Sequence, residues 1–82
     1  MYNVPTPEEL REWIRGHSLT VARAGALVGV DARAARRWTA PTMQAGHRAI
    51  PWAAWALMRL MMHEATVEEI HAEIDDDSEA LP

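Results

Sequence analysis

The chain has no cysteine, no lysine and no phenylalanine. Without cysteine there is neither a disulfide framework nor a thiolate metal site. Glycine is scarce, at 4 residues of 82, and alanine abundant, a balance that favours helix. No hydrophobic run is long: the longest, Ile50 to Met62, spans 13 residues and contains Arg59. About 20 apolar residues are needed to cross a bilayer, so no membrane span is expected. The start has no charged-then-apolar leader, which predicts no signal peptide and a cytoplasmic location. Catalytic patterns are missing too. His63-Glu64 is not followed by a second histidine at the offset of a His-Glu-x-x-His helix, and His17, His47 and His71 are scattered. The chain is therefore expected to be no enzyme and to hold no metal or cofactor. Glu68, Glu69, Glu73 and Asp75 to Asp77 read as a solvated acidic end rather than a cation site.

What is present fits one small domain. Its core has to come from four Trp, several Leu, Met and Val, and many alanines. The net charge of −4 is unevenly spread. Residues 1–30 balance three arginines against three glutamates, residues 31–63 carry five arginines against Asp31 alone, and residues 64–82 carry eight acids and no base. The middle of the chain is thus basic, as phosphate contacts require.

Helix signals recur along the chain. Thr6-Pro7-Glu8-Glu9 combines a capping box with proline at the first helical position, predicting helix 1 over Pro7 to Gly16. Thr20 caps a short helix 2 that Gly29 stops, and Asp31 caps helix 3, Ala32 to Trp38. The stretch 39–49, with Pro41 and Gly46, reads as a long surface loop. Helix 4, Pro51 to Glu64, is apolar nearly all round, so more than one neighbour must cover it. Thr66-x-x-Glu69 opens helix 5, Val67 to Ile74, and residues 75–82 read as a disordered acidic tail after a domain of residues 1–74.

Helices 2 and 3 carry the spacing of a helix-turn-helix unit. Counting from Val21, the small residue at position five is Gly25, the turn glycine at nine is Gly29 and the apolar residue at ten is Val30. Ala24, Val28, Ala35 and Trp38 fill the inward positions, so Trp38 is expected in the core rather than on a ligand. The predicted fold is all-α, a five-helix bundle with a central helix-turn-helix. In such a unit the second helix enters the major groove, and arginine is the commonest bidentate reader of guanine. Arg33 and Arg37 are expected to read bases, Arg36 to contact a base or a phosphate, and Thr20, Arg48 and Gln44 to contact phosphate. Thr20 also serves as a cap, and His47 is a weaker phosphate candidate. Trp55, Met58, Met61, Met62 and Ile70 are expected to form a homodimer seam along helices 4 and 5. The other reading of that helix is a plain central core helix.

The run Leu19-Thr20, Leu27-Val28-Gly29-Val30-Asp31-x-Arg33-x-x-Arg36-Arg37-Trp38, followed by Ile50-Pro51-x-x-Ala54, resembles the Cro/repressor-type (XRE-like) helix-turn-helix regulators of phages and other mobile elements. These include regulators encoded beside anti-CRISPR genes. The resemblance covers roughly residues 6–62. It implies a dimeric repressor on double-stranded operator DNA with an inverted repeat, autoregulation, and a place on the nucleoid of a bacterial host cell. The loop 40–49 is longer than the family's usual connection. The competing expectation is a helix-turn-helix scaffold used for protein binding, such as a phage-encoded inhibitor of a host defence complex.

Overall fold

The computed structural model describes residues 3–78, and these form five helices and no strand: α1 Pro7–Gly16, α2 Val21–Leu27, α3 Ala32–Thr39, α4 Trp52–Met61 and α5 Val67–Ser78. Their starts lie where the caps put them. The Thr6 hydroxyl accepts from the Glu9 amide at 3.2 Å while the Glu9 carboxylate accepts from the Thr6 amide at 2.8 Å. Thr66 and Glu69 repeat this reciprocal box at α5, at 3.1 and 3.0 Å. Thr20 accepts from the Arg23 amide and Asp31 from the Ala34 amide, satisfying donors that the first turns of α2 and α3 leave open.

The helix ends follow a different rule. α1, α2 and α4 all close through the same pair of backbone bonds, the residue after the cap bonding three back and the next residue five back. At α1 these are Ser18 to Arg15 and Leu19 to Ile14, both 3.0 Å; at α2, Gly29 to Ala26 at 3.1 Å and Val30 to Gly25 at 2.9 Å; at α4, His63 to Leu60 at 3.1 Å and Glu64 to Arg59 at 2.8 Å. Each closure needs a left-handed residue, and these are Ser18 (φ 56°), Gly29 (φ 74°) and His63 (φ 60°). Gly16 is an ordinary helical residue. α4 is accordingly shorter than expected: Pro51 is its cap rather than its first residue, and Glu64 lies in the turn beyond it. α5 is longer than expected, running through Asp75 to Asp77 to Ser78. Nothing between Val67 and Ser78 is a glycine or proline that would stop it. The remainder of the expected tail, 79–82, lies outside the described residues.

The core is built from Leu10 and Ile14 of α1, Ala24 of α2, Ala35 and Trp38 of α3, Ile50, and Met58 of α4. α2 and α3 pack most closely, α1 lies across both, and α4 contacts α2. The α2–α3 crossing depends on Gly25. A Cβ there would sit 2.8 Å from the Ala35 Cβ and 2.9 Å from the Val30 carbonyl oxygen. Trp38 belongs to this core, as its spacing predicts.

The five residues expected at a dimer seam differ in exposure within the single chain. Met58 is fully buried and Ile70 is 7% exposed, so both face the chain's own interior. Trp55 is half-buried and packs edge-on against Trp13, centroids 5.3 Å apart, while Met62 is the half-buried cap of α4. Of the five expected residues Met61 is the one at the surface, and Leu57, one turn earlier, is exposed with it.

Two polar clusters join α4 and α5 to the rest. The Glu64 carboxylate accepts from the Trp13 indole and lies 2.6 Å from His17 Nε2, fastening the end of α4 to α1. The Trp13 hydrogen bond chiefly, with the His17 contact, holds this carboxyl below the usual glutamate range. Glu73 of α5 receives both terminal nitrogens of Arg59, at 2.9 and 3.0 Å, and the Trp52 indole at 2.9 Å. The bidentate Arg59 bond is the main cause of its lowered pKa. Arg59 also lies 5.2 Å above the Trp55 ring.

Candidate functional site

α3 is an amphipathic helix whose inward positions hold Ala35, Trp38 and Thr39. Neighbours three or four residues apart share a helix face, so Arg33 lies beside both Arg36 and Arg37. All three are exposed, and no hydrogen bond or ion pair engages their guanidinium groups among the described residues. The cause is local. No acid stands three or four residues from any of them. Arg11 and Arg15 differ in this respect: each has a glutamate three residues back, Arg11 to Glu8 at 3.6 Å and Arg15 to Glu12 at 3.2 Å. Arg59 is held by Glu73 at 2.9 Å. The arginines of α1 and α4 are thus neutralised, and those of α3 are not.

The C-terminal end of α3 is fixed from three sides. The Arg11 guanidinium donates to the Thr39 carbonyl, His47 Nδ1 lies 3.0 Å from the Ala40 carbonyl, and the Arg48 amide donates to the Arg37 carbonyl at 3.1 Å. These bonds satisfy carbonyls that a helix end leaves open. They also bring the Arg48 backbone back to α3 at Arg37, and the Arg48 side chain is exposed. The one hydrogen bond of that guanidinium goes to the His47 carbonyl at 2.8 Å, and no acid neutralises it among the described residues. Gln44 is exposed in the loop. Its backbone builds the turns, donating to Pro41 and accepting from His47, and its side chain has no partner among the described residues.

Thr20 stands apart from this group, at the N-terminus of α2. Its hydroxyl oxygen accepts the Arg23 amide at 3.1 Å, leaving the hydroxyl proton free to donate elsewhere. A shallow groove of about 370 Å³ opens beside it, where Arg11, Arg15, Ser18 and Thr20 rim an apolar floor of Ile14 and Leu19. Three residues at the surface escaped the sequence reading. Arg23 is exposed and unpaired among the described residues, and no acid stands three or four residues from it, the same signal that marks the α3 arginines. Arg15 and Ser18 join Thr20 only through the fold, because the left-handed turn at Ser18 folds α2 back on α1.

A two-fold division of charge results. Arg33, Arg36, Arg37 and Arg48 have no ion-pair partner among the described residues, and the one acid near them in sequence, Asp31, is occupied as the N-cap of α3, whereas α1 and α5 carry most of the acids. Such a surface attracts a polyanion, and its planar forks suit guanine edges and phosphates. No protein-family model matches this chain, and neither a curated protein nor a solved structure matches it.

Proposed function

We propose that the protein is a sequence-specific DNA-binding repressor of the helix-turn-helix class, with α3 in the major groove. The observation that carries the reading is the row of exposed, unneutralised guanidinium groups at Arg33, Arg36 and Arg37 on a helix fixed at its far end by Arg11, His47 and Arg48. A rigid helix presenting arginines can hold the narrow geometry that bidentate base contacts need. The α2–α3 unit adds support: the link 28–31 turns at left-handed Gly29, and Gly25 permits the close crossing. Arg33 and Arg37 read base edges, and Arg36 reads a base or binds phosphate. Arg48, Gln44 and Thr20 position the duplex through its phosphates, with Arg23 as a further cation for that role.

An eight-residue helix reaches only a few base pairs, so specificity calls for two copies on an inverted repeat, their α3 helices about 34 Å apart. The exposed pair Leu57 and Met61 on α4 is the apolar surface we assign to the second copy. Repression, of its own operon first, is what the resemblance to Cro/repressor-type regulators adds.

The test is selection from a random duplex pool, followed by gel shift of the enriched sequence beside a scrambled duplex. The wild type should enrich an inverted repeat. Arg33→Ala or Arg37→Ala should weaken binding by about 1–3 kcal/mol and relax preference at one base pair of each half-site. A folded protein that enriches no sequence and shifts no duplex at low salt contradicts the reading and favours a protein-binding scaffold.

A further inference from the structure

The loop between α3 and α4 displays a side chain that its own fold does not use. Met43 is 98% exposed, whereas the other exposed large apolar residues, Val4, Leu57, Met61 and Val67, range from 36% to 59%. A lone exposed apolar residue is ordinary on a surface, and full exposure leaves the whole Met43 side chain available to be buried against a partner. Nor is the loop a loose strand of chain. Its tip is built by two successive turns, Gln44 amide to Pro41 carbonyl at 2.9 Å and His47 amide to Gln44 carbonyl at 3.0 Å. Its return limb is bonded to α3 at Arg37 and Ala40. Met43 therefore projects from a braced stalk whose base carries the unneutralised Arg37 and Arg48. No acid lies between Ala32 and His63.

We infer that Met43 is an apolar wedge that inserts between base pairs beside the site read by α3. This rests on the DNA-binding reading and extends it. The charge around the stalk selects the partner: an apolar tip on a loop whose base carries cations and whose length holds no acid fits a ligand with an anionic rim and an apolar stacked interior, which describes a duplex base step. Insertion of such side chains unstacks a step and kinks the duplex, at a cost of a few kcal/mol that the added contacts offset. Flexible pyrimidine–purine steps yield most readily, so the wedge would make the protein sensitive to bases that no hydrogen bond reads.

Met43→Ala and Met43→Leu separate the possibilities. Both leave the fold intact, because the side chain is 98% exposed, and unchanged thermal melting checks this. The probe is a duplex of the selected sequence with 2-aminopurine placed in turn at the steps flanking the α3 site, and a second duplex end-labelled for energy transfer. Wild-type protein should raise 2-aminopurine fluorescence at one step and shorten the end-to-end distance. Met43→Ala should lose both signals and bind about tenfold more weakly, with the salt dependence of binding unchanged because no charge is removed. Met43→Leu should restore them. Equal affinity and equal signals for wild type and Met43→Ala overturn the wedge and leave the α3 reading standing. Failure of the wild type to bind any duplex overturns both, and loss of binding to an acidic protein or an anionic vesicle by Met43→Ala in that case would reassign the tip to that partner.

Discussion

Gly25→Ala is the perturbation that interrogates the α2–α3 crossing most sharply. In an isolated helix the change is favourable by about 1 kcal/mol, because alanine is the better helix former. Here the new methyl would lie 2.8 Å from the Ala35 Cβ and 2.9 Å from the Val30 carbonyl oxygen. Carbon contacts settle at about 3.5–4.0 Å, so the two helices must part by roughly 0.7–1.2 Å. Neither neighbour can rotate aside: one is a methyl fixed to α3, and the other is backbone whose amide is bonded to the Gly25 carbonyl at 2.9 Å. Overpacking of this kind costs about 1–3 kcal/mol, and with backbone on one side the upper part of that range applies. The net loss is then about 1–2 kcal/mol, a fall in Tm of about 5–15 °C for a chain of this size. Gly16→Ala is the matched control, since a methyl added there would meet nothing within 4 Å and the helix gain stands alone. Urea titration followed by tryptophan fluorescence and far-UV circular dichroism reads both variants. A Gly25→Ala protein as stable as the wild type would refute the close crossing, and with it the positioning of α3 by α2.

The remaining predictions concern the turns, the acid limb and the surface of α4. Ser18→Gly and His63→Gly should each stabilise the fold by about 0.5–1 kcal/mol, because glycine adopts the left-handed conformation without a Cβ penalty; urea midpoints measure this. Glu64 and Glu73 have pKa values lowered by folding, so their contribution is present above the unfolded glutamate pKa of about 4.3 and is lost as pH falls through the folded values. Stability measured from pH 6 to pH 3 should therefore decline at the acid end, and Glu73→Gln should flatten that decline while costing about 1–3 kcal/mol at pH 7 by leaving Arg59 without its anion. Met61→Glu should shift a sedimenting dimer to monomer with little change in unfolding of the monomer. Met58→Ala should instead destabilise the fold by about 2–5 kcal/mol, because Met58 is wholly interior.

Where a helix begins was legible because a cap is a local event: Thr6 with Glu9, Thr66 with Glu69, and Asp31 before Ala32 each declare themselves within four residues. Where a helix ends was less so. Glycine marks one of the three left-handed closures, and Ser18 and His63 mark the others without any compositional sign. That is why α4 was expected to run to Glu64. α5 misled in the opposite direction, since three consecutive aspartates read as a solvated tail although nothing there breaks a helix. The arginine surface was legible in outline, as the i−3 glutamates of Arg11 and Arg15 and the lack of acids around Arg33, Arg36 and Arg37 are sequence facts. Contacts across the fold were not. Neither the Arg11 bond to Thr39, nor the Glu64 tie to Trp13 and His17, nor the Arg59–Glu73 pair leaves a periodic trace. For the same reason the burial of Met58 within the chain was not legible, because an all-round apolar helix does not say which face its own chain covers.

The slope of log binding constant against log salt concentration, for a duplex of the selected sequence, tests the α3 surface most directly. Each phosphate neutralised contributes about −0.9 to that slope. Wild-type protein should show a steep negative slope. Neutralising Arg36 and Arg48 to glutamine should reduce its magnitude by about 1 to 2, whereas Arg15→Gln, whose charge Glu12 already balances, should change it less. A slope near zero, or one that survives the loss of Arg33, Arg36, Arg37 and Arg48 together in a folded protein, would contradict DNA recognition by α3.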